Sequence, residues 1–258
     1  MELMVVQEPP ASPWFAAISP ERLQRIHTLP IDALLVWLNQ ESQASGLVSG
    51  SGKPLRFVPQ NYLPADKAYE SWIADTGCVP TRDNLHDRYN AMIWLCAPKT
   101  KARLNHVQAA QLSQRGRVGD RGPARDAATL WDENLMVLAC AREADRLLAL
   151  LSAVDWSALF LQHRSFWHSD WQPMVFGHAL LERLQHPYKA ITAHCVVIAA
   201  AAADWGTVDT QLAALVGPEL APRALHPLPV MGIPGWHPDN TSPGFYQDPA
   251  VFRPRRRP

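Results

Sequence analysis

The chain carries no net charge: its 24 Lys and Arg side chains balance 24 Asp and Glu. No global field therefore draws it to nucleic acid or to an anionic membrane, and any anion binding has to be local. Charge of either sign is also scarce, at 19% of 258 residues, against 47% apolar. Such a composition excludes disorder and leaves a thin polar surface, which points to contacts with something else, a second copy of the chain included. Long hydrophobic runs are missing, since a stretch such as residues 196–203 falls far short of the ~20 residues a membrane span needs. The four cysteines, Cys78, Cys96, Cys140 and Cys195, are widely spaced with no C-x-x-C pair, so neither a disulfide framework nor a zinc ribbon is written into the chain. The opening MELMVVQEPP lacks the basic-then-apolar pattern of a secretory signal, and a soluble cytoplasmic protein is the expectation. There is no G-x-S-x-G elbow, no G-x-G-x-x-G after a strand and no G-K-S/T, so serine-nucleophile, dinucleotide and Walker-loop chemistry find no support.

What is present is strong apolar periodicity. Ser19 before Pro20 is a helix start, and Ile31, Leu34, Leu35 and Leu38 form a helical face with Gly46 as its stop. Residues 49–64, rich in Gly and Pro, read as a loop around an extended LRFV. Helices are expected at 82–97 and 99–113, then after a Gly and Arg loop from Pro123, around 144–151, in a Trp-rich piece at 156–168, and at 178–186 and 208–216. LMVLAC (135–140), PMVF (173–176) and HCVVIA (194–199) read as three short strands of one sheet. The last 41 residues hold 10 of the 23 prolines, which forbids a regular helix or a central strand there. Trp236, Phe245, Tyr246 and Phe252 make that segment too apolar for a loose tail. The expected fold is α+β: a predominantly helical single domain with a small sheet of about three short strands. N-terminal helices occupy 1–53, the core 54–217, and an extended Pro-rich segment, 218–258, wraps over it.

Polar residues interrupt the greasiest helix at regular spacing. On 82–97, His86, Asp87, Asn90 and Trp94 face away from Leu85, Tyr89, Met92, Ile93 and Cys96, while 91–97 is apolar all round. A polar stripe where a buried helix meets a cavity is what a pocket wall needs; the plainer alternative is helix capping by Asp83 and Asp87, with His86 paired to Asn90. His178, Glu182 and Gln185 repeat at i, i+4 and i+7, spacing that suits an oriented acid/base pair or a metal ligand set, and equally an exposed face. Residues 99–126 carry Lys99, Lys101, Arg103, Arg115, Arg117, Arg121 and Arg125 against Asp120 and Asp126. A Gly-rich turn feeding a helix N-terminus, with Arg121 and Arg125 beside it, suits a phosphate or carboxylate; a solvated basic loop is the alternative. Asp126, Asp132 and Glu133 share the polar face of the next helix and, with His86 and His178, make a candidate set for a divalent metal.

Two classes of function follow. One is a hydrolase-like or transferase-like enzyme acting on a phosphorylated or other anionic small molecule by metal-assisted or general acid/base chemistry. His86, Asp87, Asn90, His178 and Glu182 would be its catalytic candidates, and Arg121 and Arg125 would hold the anion. The other is an adaptor or nucleic-acid-associated module using the basic 99–125 segment and the ten tryptophans. Acidic residues among the basic ones would repel a phosphate backbone, so nucleic acid is the less favoured partner. Convergence of the histidines and carboxylates in one cleft separates the two classes.

The blocks PTRDNLHDRYNAMIWLCAPKTKARLN, RGPARDAATLWDEN, VFGHALLE, and PLPVMGIPGWHPDN with FYQDPAVFRP resemble, in order and spacing, those of a proteobacterial family named domain of unknown function 3025. The resemblance spans about residues 54–254 and implies one domain of bacterial origin. It carries no activity with it.

Overall fold

Ser19 caps the first helix, α1 (Pro20–Thr28), by accepting the Arg22 amide at 3.1 Å, and Pro20 fills a first-turn position where a missing N–H costs nothing. The computed structural model describes residues 12–113, 123–221 and 225–254, the side chains of 123–125 aside. After Pro30, α2 (Ile31–Ala44) buries Leu34, Leu35 and Leu38. The expected LRFV strand is β1 (Arg56–Pro59), and it has a parallel partner, β2 (Cys78–Thr81), joined to it through α3 (Tyr69–Thr76). Gly77 closes α3 at φ 73, and a Cβ there would collide with the Pro54 carbonyl oxygen, so only glycine allows the chain to turn straight into β2.

The main sheet has four strands rather than three, ordered β4 (Trp171–Val175), β3 (Leu135–Cys140), β5 (Thr192–Ala199), β6 (His226–Pro229). Every residue of the central β3 is buried, in keeping with its continuous apolar run. It pairs parallel to β5 and antiparallel to β4, and β5 pairs antiparallel to β6. Both outer strands contain proline, Pro173 in β4 and Pro227 and Pro229 in β6, positions that only a sheet edge tolerates. The remaining helices are α4 (Leu85–Cys96), α5 (Pro98–Ser113), α6 (Pro123–Asn134), α7 (Ala144–Ala153), α8 (His178–Arg183) and α9 (Trp205–Ala214). The Trp-rich piece is helical, but shorter and less regular than the helix expected over 156–168: α-helical residues 156–157 run into a π-helical turn at Ala158–Gln162, a 3-10 turn follows at Arg164–Phe166, and His168 then takes φ 64.

The proline-rich C-terminal segment is wrapped over the domain, with Trp236, Phe245, Tyr246 and Phe252 all buried. Phe160 stacks on Tyr246 at 5.5 Å between ring centres and meets Phe252 edge-on at 6.1 Å. Asn240 ties the wrap to itself through bonds from its amide to the Met231 and Ile233 carbonyls, at 3.0 and 2.7 Å. Arg164 donates to the Asn240 carbonyl at 3.0 Å and fastens it to the body.

Candidate functional site

Four helices, α4, α5, α6 and α8, pack against one another and, with residues of α3 and the segments flanking it, line a half-open cavity of about 430 Å³. Asn84 caps α4 by accepting the Asp87 amide at 2.8 Å, so the polar first turn of that helix is presented at the cavity wall. Gly177 immediately precedes helix α8, and a Cβ there would run into the backbone of Glu133 and Asn134. This glycine lets the start of α8 lie directly against the end of α6, so that His178 comes to rest beside Asp132.

Inside the cavity the two histidines meet: Nε2 of His86 lies 3.0 Å from Nε2 of His178, with the rings edge to face. His86 Nδ1 sits 2.9 Å from Glu182 Oε2. A carboxylate only accepts, so that nitrogen carries its proton and the Glu182 bond orients the ring. His178 is 5% exposed, and burial pushes its pKa down to about 4 against the opposing pull of Asp132. Its Nδ1 has no hydrogen-bond partner and stands 3.9 Å from Asp132 Oδ2. Burial works to raise the Asp132 carboxyl, but the charges of Lys101 and His178 outweigh it and hold the group below its ordinary range. Lys101 is itself buried: its ammonium donates to Asp132 Oδ1 and, at 2.7 Å, to Asn90 Oδ1, and lies over the Trp94 ring. Asn90 passes the chain on to the Tyr69 hydroxyl at 3.1 Å. Burial, with Glu70 and Asp87 nearby, raises that hydroxyl well above its usual pKa.

Of the candidates taken from the sequence, His86, Asp87, Asn90, Asp132, Glu133 and His178 line this one cavity. Their pairings differ from those expected. His86 bonds Glu182 and His178, not Asn90, and Glu182 serves the histidine of the neighbouring helix rather than the one on its own. The His178 stripe is not an exposed face, because docking against α6 buries its first residue. Asp87 accepts the Arg82 amide at 2.7 Å and its guanidinium at 2.9 and 3.0 Å, a structural as much as a chemical engagement. Asp126 is exposed on α6 and does not line the cavity. Arg121 lies outside the described residues, and Arg125 is placed by its backbone alone, at the third position of α6. Among the described residues no group of three or more His, Cys, Asp or Glu side chains is arranged to hold a metal ion. The basic segment is not a continuous face either: Lys101 is buried, Lys99 donates to Thr210 at 2.8 Å and Arg103 to the Val216 carbonyl at 3.1 Å. Lys101, Arg82 and Tyr69 were not among the candidates. The only signal for Arg82 and Lys101 is their place beside the α4 stripe in sequence. The thiols of Cys96, Cys140 and Cys195 are pushed up by burial, which leaves them protonated.

A family model described as "Protein of unknown function (DUF3025)" matches residues 55–256. The chain belongs to the DUF3025 family. All the cavity residues named above lie within the matched span, so the site is part of the family's own domain and not of the N-terminal helices outside it. No curated protein and no solved structure matches the chain. No helix among the described residues is long and apolar enough to cross a membrane.

Proposed function

We propose that this DUF3025 cavity is the active site of a hydrolase-like or transferase-like enzyme, in which the His86 and His178 pair exchanges a proton with a small bound substrate. One observation carries it: two imidazoles in 3.0 Å contact inside a cavity, with a carboxylate behind each. Burying His178 and Asp132 behind the half-exposed His86 and Glu182 is costly for packing alone, whereas an acid/base catalyst requires titratable groups whose surroundings push their proton affinities apart. General acid/base chemistry is the branch this donor set supports best, because each imidazole already stands beside a carboxylate that can orient it.

An anionic substrate, a phosphorylated one included, remains the class we favour. Arg82 lines the cavity, is oriented by two bonds to Asp87, and keeps its Nη1 free of partners among the described residues. Position 125 falls on the same helical stripe of α6 as the cavity-lining Thr129, Asp132 and Glu133. The test is a panel of phosphate and carboxylate esters assayed for turnover and for thermal stabilisation. Turnover should be lost in His86→Ala with little change in Tm, and in His178→Gln, which keeps most of the buried volume; KM should rise in Arg82→Met with kcat nearly unchanged. Equal turnover in wild type and His86→Ala would remove the catalytic role.

A further inference from the structure

We propose that the end of the cavity away from the histidines is a subsite in which Gln108 binds an uncharged group with a C=O beside an N–H, the edge of an amide or of a nucleobase; the assignment rests on the cavity being an active site. On α5, Lys101, Asn105, Gln108 and Leu112 fall on one stripe, at i, i+4, i+7 and i+11. Lys101 donates to Asn90 and to Asp132. Asn105 is engaged on both sides: its amide donates to the Glu70 carbonyl at 2.9 Å and the Glu70 carboxylate at 2.7 Å, and its oxygen accepts the Gly50 amide at 2.9 Å. Gln108, about one turn further on, has no such partner among the described residues.

Gln108 is 7% exposed and lines the cavity. Indoles aside, every other buried polar or charged side chain among the described residues makes at least one hydrogen bond, and Gln108 makes none. Its carboxamide is not sealed into the core, for its nitrogen and oxygen both keep contact with open space, and the space they meet is the cavity. A nearly buried amide with its donors and its acceptor unmet by protein is what a ligand with the complementary pair would find. Methionine would fill the same place on a helix without that deficit, so packing alone does not call for glutamine.

The helices set the position of this end. Lys101, at the start of α5, meets Asp132, near the end of α6, so the two helices run antiparallel. Advancing from Lys101 to Gln108 therefore follows α6 back from Asp132 to Thr129, which also lines the cavity. Seven residues of helix place Gln108 about 10 Å along the axis from Lys101, whose partner Asp132 stands beside His178. A substrate that reaches from the imidazoles to Gln108 is accordingly longer than a bare phosphate ester. Its charge at this end is also constrained. Glu70 lines the cavity, held by Asn105, and its carboxylate repels a second anion, while an ammonium would leave the Gln108 N–H groups without an acceptor. A neutral group with both functions meets the amide, and Leu112 gives its flat face an apolar wall.

Two probes carry this edge from different sources: uracil for a nucleobase and N-acetylglycinamide for a peptide amide. Titrated into the full chain labelled with nitrogen-15, at least one should shift the side-chain amide signals of Gln108 with a Kd of about 1 mM, the range open to ligands of so few atoms, and the tighter of the two identifies the source. Its fully N-methylated counterpart keeps the carbonyls, loses the N–H groups, and should bind about tenfold more weakly. The same loss is expected for the probe itself in Gln108→Met, read there from the backbone amides of α5 and α6. The Tm of Gln108→Met should not fall, because no bond within the protein is lost, and His86→Gln should bind the probe as the wild type does. The subsite is overturned by unmoved Gln108 signals at about 20 mM of either probe, by equal binding of the methylated counterpart or in Gln108→Met, or by a loss of several degrees of Tm in that variant. Probe binding in a protein that turns over none of the esters would retain the subsite and remove the enzyme, and ester turnover without probe binding would do the reverse.

Discussion

A histidine held neutral by burial makes stability depend on pH with a definite sign. The His178 pKa falls from its ordinary 6.5 to about 4 on folding, so between those values the unfolded chain binds a proton that the folded chain refuses. Its contribution is intact above about pH 6.5 and is lost as pH falls toward 4, to the extent of roughly 3 kcal/mol by linkage. Urea midpoints at pH 7 and pH 5 should therefore differ measurably, and His178→Gln should flatten the difference; an equal slope in the variant would show that other groups carry the acid sensitivity. Asp132, whose pKa is depressed, adds a loss of the same sign at still lower pH. His86 and His178 were legible as polar positions on apolar helices because helical spacing alone sorts them. Lys101 was not, for it sits in a basic run that reads as solvated, and its burial depends on a carboxylate 31 positions away.

Elements with one dominant periodicity were the readable ones. The apolar run of β3 and the wide apolar face of α4 translate directly into full burial, with Met92 and Ile93 wholly inaccessible. β2 escaped notice because CVPT is flanked by Gly77 and holds Pro80, signals that ordinarily mark a loop. In the Trp-rich piece the apolar spacing gave the helical character but not its irregularity: the turn widens to a π-helix where Trp156 and Phe160 pack against the C-terminal segment. The junction of α6 and α8 carries the next prediction. Gly177→Ala places a methyl group against the Glu133 backbone, an overpacking that costs about 1–3 kcal/mol and moves His178 away from Asp132. The variant should fold with a Tm several degrees lower and show weakened His86–His178 coupling; unchanged Tm and unchanged histidine spectra would mean that the junction has slack.

At the scale of the whole molecule, the C-terminal segment is structural rather than decorative. It supplies β6 and four buried aromatic residues, each worth about 1.5–3 kcal/mol by burial alone, against a typical domain stability of ~5–15 kcal/mol. A chain ending at residue 222 should fail to give a cooperative melt, and limited proteolysis of the intact protein should leave that segment uncut; rapid removal without loss of stability would contradict the docking. The alternating proline and apolar residues of the segment announced that it was extended and anchored, but its Asn240 and Arg164 fastenings join positions 76 apart and left no local trace. The prolines at the two outer strands have a further effect. Pro173, Pro227 and Pro229 offer no amide to a neighbouring chain, so neither edge of the main sheet is a good template for a foreign strand. A chain with so few charged residues is thereby spared one common route to aggregation, the joining of sheet to sheet.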